Sequence, residues 1–111
     1  MNISWQDFEK IELRTGTIIG VDDFPKARKP AYQLQIDFGE SLGIKRSSAQ
    51  ITTYYKKEDL LNRQVIAVVN FPPKQIAGFF SECLVLGVYD DKNAVVLLQP
   101  SSPVPNGSKV G

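Results

Sequence analysis

Residues 32–38 read Tyr-Gln-Leu-Gln-Ile-Asp-Phe, and this strict alternation constrains the fold more than any other feature of the chain. Successive side chains of a strand point to opposite faces. Tyr32, Leu34, Ile36 and Phe38 therefore need a core on one side, while Gln33, Gln35 and Asp37 face water on the other. Other short apolar runs, bounded by turn residues, supply partners: Ile11–Val21, Ile44–Ile51, Val65–Val69, Cys83–Tyr89 and Ala94–Leu98. In the first run Thr15, Thr17, Ile19 and Val21 share one face and Ile18 points the other way. Gly16 and Gly20 mark strong bending, as barrel strands require, or close approach by another backbone. Arg14 falls in register with neither apolar set and is expected to mark an open face.

Five or more short, bent strands with one short helical connection between the third and fourth (52–62, ending at Asn62) describe an all-β chain. The expected architecture is an OB-fold five-stranded barrel, with a β-sandwich as the alternative. Residues 1–111 form a single domain without repeats or an interdomain linker. Ser4 followed by Asp7 predicts an N-cap and a short N-terminal helix ending near Lys10. Trp5 and Phe8 fall on one face of that helix and need covering, by the same domain or by a second subunit. The turn-rich C-terminal extension 100–111 carries Val104 and Val110 as further anchors, so 1–10 and 100–111 are expected to help build a homodimer.

The segment 70–86, NFPPKQIAGFFSECLVL, is of a different kind. Pro72 and Pro73 fix two successive φ values and remove two donors, which bars them from a central strand. Gly78 permits a turn. Around them Asn70, Lys74, Gln75, Ser81 and Glu82 lie beside Phe71, Phe79 and Phe80, the composition of a binding surface. Phe79 is expected to be exposed enough to line a pocket; Phe71 and Phe80 are left open.

A net charge of +1 argues against a wholly electrostatic binder, but the charge is unevenly placed. No carboxylate lies between Ser41 and Lys57, a stretch holding Lys45, Arg46, Lys56 and Lys57, and Lys26, Arg28 and Lys29 form a second cluster. With no histidine and one cysteine, Cys83, the chain has no internal disulfide and too few ligands for a zinc site within one subunit. No phosphate loop or catalytic constellation is present, no cofactor is implied, and Ser81 beside Glu82 lacks both a base and an oxyanion site. A binding protein is expected, not an enzyme. The acidic, polar N-terminus is no secretory signal and no apolar run could span a bilayer, so a cytoplasmic location is expected.

Four separated blocks, RTGTIIGVDDFPKARKPAYQLQIDFG, KRSSAQIT, QVIAVVNFPPKQIAGFFSECLVLG and VVLLQP, resemble the tRNA-binding domain family of OB-fold modules associated with tRNA and aminoacyl-tRNA synthetases. The resemblance runs from about Phe8 to Gly111 and is strongest to the family's CsaA-like branch of small, homodimeric, export-related chaperones. It implies binding of unfolded or precursor proteins, with tRNA or structured RNA binding on the same face as the alternative. The implied site residues are Lys45, Arg46, Ser47, Ser48, Gln50, Asn70, Lys74, Gly78, Phe79, Ser81 and Glu82, and the implied dimer contacts are Trp5, Phe8, Val104 and Val110. Phe24-Pro25 and Cys83-Leu84 stand where the common tRNA-binding form carries a His-Pro arm and a methionine; both departures fit the chaperone branch.

Overall fold

The alternating stretch becomes the second strand of a nearly closed barrel. The computed structural model describes residues 1–111, in chain order α1 (Trp5–Glu9), β1 (Leu13–Asp23), β2 (Tyr32–Asp37), β3 (Ile44–Ala49), α2 (Lys57–Leu60), β4 (Gln64–Val68), β5 (Lys74–Ile76), β6 (Phe79–Ser81), β7 (Leu84–Val85), β8 (Gly87–Tyr89) and β9 (Val95–Leu97). Five strands form an antiparallel sheet in the order β3-β2-β1-β4-β7, and β5-β6 and β8-β9 are separate hairpins. This is the expected OB-like architecture, with both short helices where the sequence puts them.

Leu34, Ile36 and Phe38 are completely buried, joined by Ile18, Val65 and Leu60, which α2 brings into the barrel interior. β1 is long enough to serve two neighbours because it bends. Its pairing with β2 slips between Ile18 and Gly20, leaving Ile19 as the extra residue of a bulge. Ile18 faces the core before the bulge and Val21 packs on it afterwards, while Ile19 is left exposed. Gly16 lies directly under the Phe38 ring: a Cβ there would come within 2.6 Å of Ile36 Cγ2 and 2.7 Å of Phe38. Glycine at this position reflects packing against the core.

Two expectations are revised. Cys83–Tyr89 is not one strand. The Leu86 N–H donates to Ile66 O while its carbonyl accepts from Leu98 N, so this residue divides its bonds between the barrel and the β8-β9 hairpin. Gly87 then packs under Val95 and Val96 too closely for any Cβ. Arg14 does not mark an open face. The C-terminal tail runs along β1, with Gly107 N donating to Thr15 O, Thr15 N to Ser108 O and Val110 N to Leu13 O. Beneath it the Arg14 guanidinium donates to Gly107 O. The Gln64 side chain secures the tail by donating to Val104 O and accepting from Val104 N. The tail thus folds back on its own subunit, and Val104 and Val110 are half-buried there.

At the other end, α1 carries the expected capping box: Ser4 Oγ accepts from Asp7 N, and Asp7 Oδ2 accepts from Ser4 N, each at 3.1 Å. The helix buries none of its residues; Trp5 is 79% exposed and Phe8 half-buried.

The contact between Gly16 and Phe38 gives a direct test of the core. Gly16→Ala is expected to destabilise the protein by about 1–3 kcal/mol, the usual cost of forcing an extra carbon into a packed interior. Urea denaturation followed by far-ultraviolet circular dichroism measures it.

Candidate functional site

The last strand of the barrel, β3, pairs with β2 on one edge and would leave its other edge bare. Residues 81–83 cover it. Glu82 N donates to Arg46 O at 2.7 Å, and Glu82 Oε1 accepts from Arg46 N at 2.9 Å and lies 3.5 Å from Arg46 Nε. Ser81 Oγ accepts from Ser48 N, and Ser47 Oγ donates to Cys83 O, both at 3.1 Å. Ser47 is 1% exposed. Of the site residues inferred from sequence, Ser47, Ser81 and Glu82 are therefore engaged in closing the barrel, and their polar atoms already have partners within the chain. Cys83 lies behind them, and burial pushes its thiol up to about 11, against the help of the Ser47 hydroxyl; it is no nucleophile at neutral pH.

Asn70 is likewise occupied. Its Nδ2 donates to Lys10 O at 2.7 Å and its Oδ1 accepts from Glu12 N at 3.0 Å, clamping the passage from α1 into β1. Two carboxylates at turns are engaged in the same way: Asp23 meets Lys57 Nζ at 3.0 Å, and Asp90 Oδ1 accepts from the N–H groups of Lys92 and Ala94 in the β8-β9 turn. The Tyr54 hydroxyl also donates to Asp90, which helps hold its carboxyl below the usual range.

Beyond this closure the 70–82 segment becomes a hairpin, a form not anticipated from its prolines. Pro72 and Pro73 precede β5, and Ala77 and Gly78, both at positive φ, make the turn into β6. One face of the hairpin tip docks on the 24–30 arm: the Phe79 ring lies 5.4 Å from Phe24, tilted against it, and the Arg46 guanidinium sits 5.2 Å over the Phe79 ring. Phe79 is thus half-buried between a ring and a guanidinium, whereas Phe71 and Phe80 are the exposed pair, at 54% and 45%. The sequence offered one sign of this, since Phe71 precedes two residues that cannot continue a strand.

Between the hairpin, β7 and the chain leaving β3 lies a groove of about 950 Å³. Its lining includes Ser48, Gln50 and Thr52 from the end of β3 and the chain beyond it, Phe71, Pro72 and Ile76 from the hairpin segment, and Leu84 from β7. Its charged lining consists of Lys29 and Lys74. Thus Ser48, Gln50, Lys74 and Ser81 do come together; Phe79, Gly78, Lys45, Arg46 and Asn70 lie outside the lining. Phe71, Leu84 and Tyr89, absent from the inferred set, are in it. Lys26, Arg28, Lys29, Lys45 and Lys74 have no carboxylate within salt-bridge distance, and of these Lys29 and Lys74 lie in the lining of the groove.

The family model described as "Putative tRNA binding domain" matches residues 13–109. The chain is similar to the Pyrococcus abyssi methionine–tRNA ligase, 40% identical over 110 residues, which cover 99% of this chain but only 15% of that enzyme. Among solved structures, the chaperone CsaA of Bacillus anthracis superposes with a TM-score of 0.94 at 51% identity, each chain covered completely. The CsaA chaperone protein of Picrophilus torridus gives 0.93 at 54% identity, covering 99% of this chain and 100% of that one.

If Glu82 serves the barrel, its loss registers as stability in the absence of any ligand. Glu82→Ala is expected to cost about 0.5–1.5 kcal/mol, the net worth of an exposed hydrogen bond to the Arg46 amide that water can in part replace. Glu82→Gln, which keeps a carbonyl acceptor, should cost clearly less, both read by urea denaturation.

Proposed function

The chain belongs to the tRNA-binding domain family, and we propose that it works as a CsaA-like chaperone, holding non-native or precursor polypeptides in the cytoplasm in connection with export. The observation that carries this reading is the groove. Phe71 and Leu84, about half exposed, are held open to solvent on a wall stiffened by Pro72 and Pro73, with lysines as the charged lining. Large apolar side chains grouped in a concavity favour apolar segments of another molecule. Similarity to two CsaA chaperones along the whole chain supports the same reading. The structural partners of Ser81 and Glu82 and the neutral Cys83 thiol fit a binding reading.

A second reading uses the same face. Lys29 and Lys74 in the groove lining, with Lys26, Arg28 and Lys45 likewise free of carboxylate partners, suit the phosphates of tRNA or another structured RNA. Peptide binding should weaken about tenfold in Phe71→Ser, the scale set by burying one aromatic side chain, and should depend far less steeply on salt than tRNA binding. tRNA binding should fall steeply with salt and weaken in Lys45→Ala and Arg46→Ala. Fluorescence anisotropy with each labelled ligand, followed by competition between them, checks both readings. A wild type that binds no member of a varied peptide panel removes the chaperone reading.

The working unit is a homodimer in this proposal. Trp5 is 79% exposed on a helix that buries nothing, Ile3 and Ile11 flank it in the open, and the half-buried Phe8, Val104 and Val110 are the further candidate contacts. A two-fold interface would cover these residues in both copies and present two grooves to one client, raising its effective affinity. Sedimentation equilibrium should give a dimer, and deletion of residues 1–10 should shift it toward monomer.

A further inference from the structure

One wall of the groove is a strand edge without a partner. Along β3 successive residues turn their main-chain groups to opposite sides: Lys45, Ser47 and Ala49 toward β2, Arg46 and Ser48 outward. Glu82 takes both outward groups of Arg46, and the Ser81 hydroxyl takes the Ser48 N–H. The closure ends there. The Ser48 carbonyl receives only a 3.5 Å contact from Ser47 Oγ, and neither the N–H nor the C=O of exposed Gln50 is engaged by another group of the chain. The facing wall cannot complete the ladder itself, because Pro72 and Pro73 have no N–H to offer.

An open edge is a template for another strand. Set beside an apolar wall, it has what strand addition requires: main-chain bonds for affinity and surface for alternate side chains. The charge is one-sided, since Lys29 and Lys74 line the groove and no carboxylate does. We infer that the groove takes an extended polypeptide segment that pairs its main chain with the Ser48–Gln50 edge, lays alternate apolar side chains against Phe71, Ile76 and Leu84, and brings carboxylates to Lys29 and Lys74. This rests on the chaperone reading and adds the basis of selection. A folded protein satisfies its main-chain groups internally, so only a non-native segment presents a free ladder together with apolar side chains. Such recognition needs alternation and acidic flanks, not a defined sequence.

The test uses the full chain and an array of labelled peptides alternating Val, Leu or Phe with Thr and carrying Asp at both ends. In the tightest binder, each backbone amide is N-methylated in turn. Strand addition predicts losses of about fivefold or more, the size of one hydrogen bond, at two amides spaced two residues apart, those that donate to the Ser48 and Gln50 carbonyls, with smaller changes elsewhere. Hydrogen exchange at the Gln50 amide should slow when the unmethylated peptide binds. A peptide that binds with no alternation in the methyl scan and no protection of Gln50 overturns the strand-addition inference and leaves the chaperone reading standing. Failure of the whole array together with a varied peptide panel overturns both, and capture of tRNA alone assigns the face to RNA.

Discussion

The structure depends on how β3 finds a second partner. A barrel strand with one bare edge leaves donors and acceptors that neither the core nor an apolar ligand can satisfy. Here the partner is not another regular strand but three consecutive residues. Glu82 supplies both its main-chain N–H and its carboxylate to Arg46, Ser81 supplies a hydroxyl to Ser48, and the Cys83 carbonyl accepts from the buried Ser47. A main-chain ladder would demand that 81–83 follow β3 in register. Side-chain acceptors reach across instead, and the chain remains free to leave at an angle on both sides.

That freedom shapes the site. Before the closure the chain forms the β5-β6 hairpin, whose tip is held by the contacts of Phe79 with Phe24 and Arg46; after it the chain enters β7 and the core. The hairpin is therefore fixed at base and tip, while its leading leg, stiffened by Pro72 and Pro73, stands away from the barrel wall. The groove is the gap that results. It begins where the closure ends, so the polar atoms of Ser47, Ser81 and Glu82 set its position while Gln50, Phe71 and Leu84 provide its surface. The C-terminal tail plays the corresponding part on β1: its bonds to Leu13 and Thr15 occupy an edge on which it would otherwise be easy to dock something else.

Much of this was legible in one dimension because it is local. Alternation over 32–38 identifies which side of a strand is buried, and Leu34, Ile36 and Phe38 are indeed fully so. Ser4 and Asp7 are close enough in sequence to cap each other, and Gly78 beside Ala77 forms the turn that its lack of a Cβ permits. Even the need for glycine at 16 showed as a bend or close approach, without revealing that Phe38 is what approaches.

The partners of polar side chains were not legible, because they are chosen across distances the sequence does not encode. Asn70 meets Lys10 and Glu12, Arg14 meets Gly107, and Glu82 meets Arg46, each joining segments brought together only by the closed barrel. A run of Asn, Ser and Glu near aromatics has the same composition whether it greets a ligand or seals a sheet. Phe71 and Phe79 present the same ambiguity: an aromatic carries no local sign of whether a ring and a guanidinium will enclose it. The sequence by itself determined most of the strands, the buried face of 32–38, the N-terminal cap and the kinds of group available for binding, since propensity and period act between near neighbours. Only the tertiary structure decided which of those groups remain free, because a hydrogen-bonding atom satisfied within the fold is no longer available to a ligand.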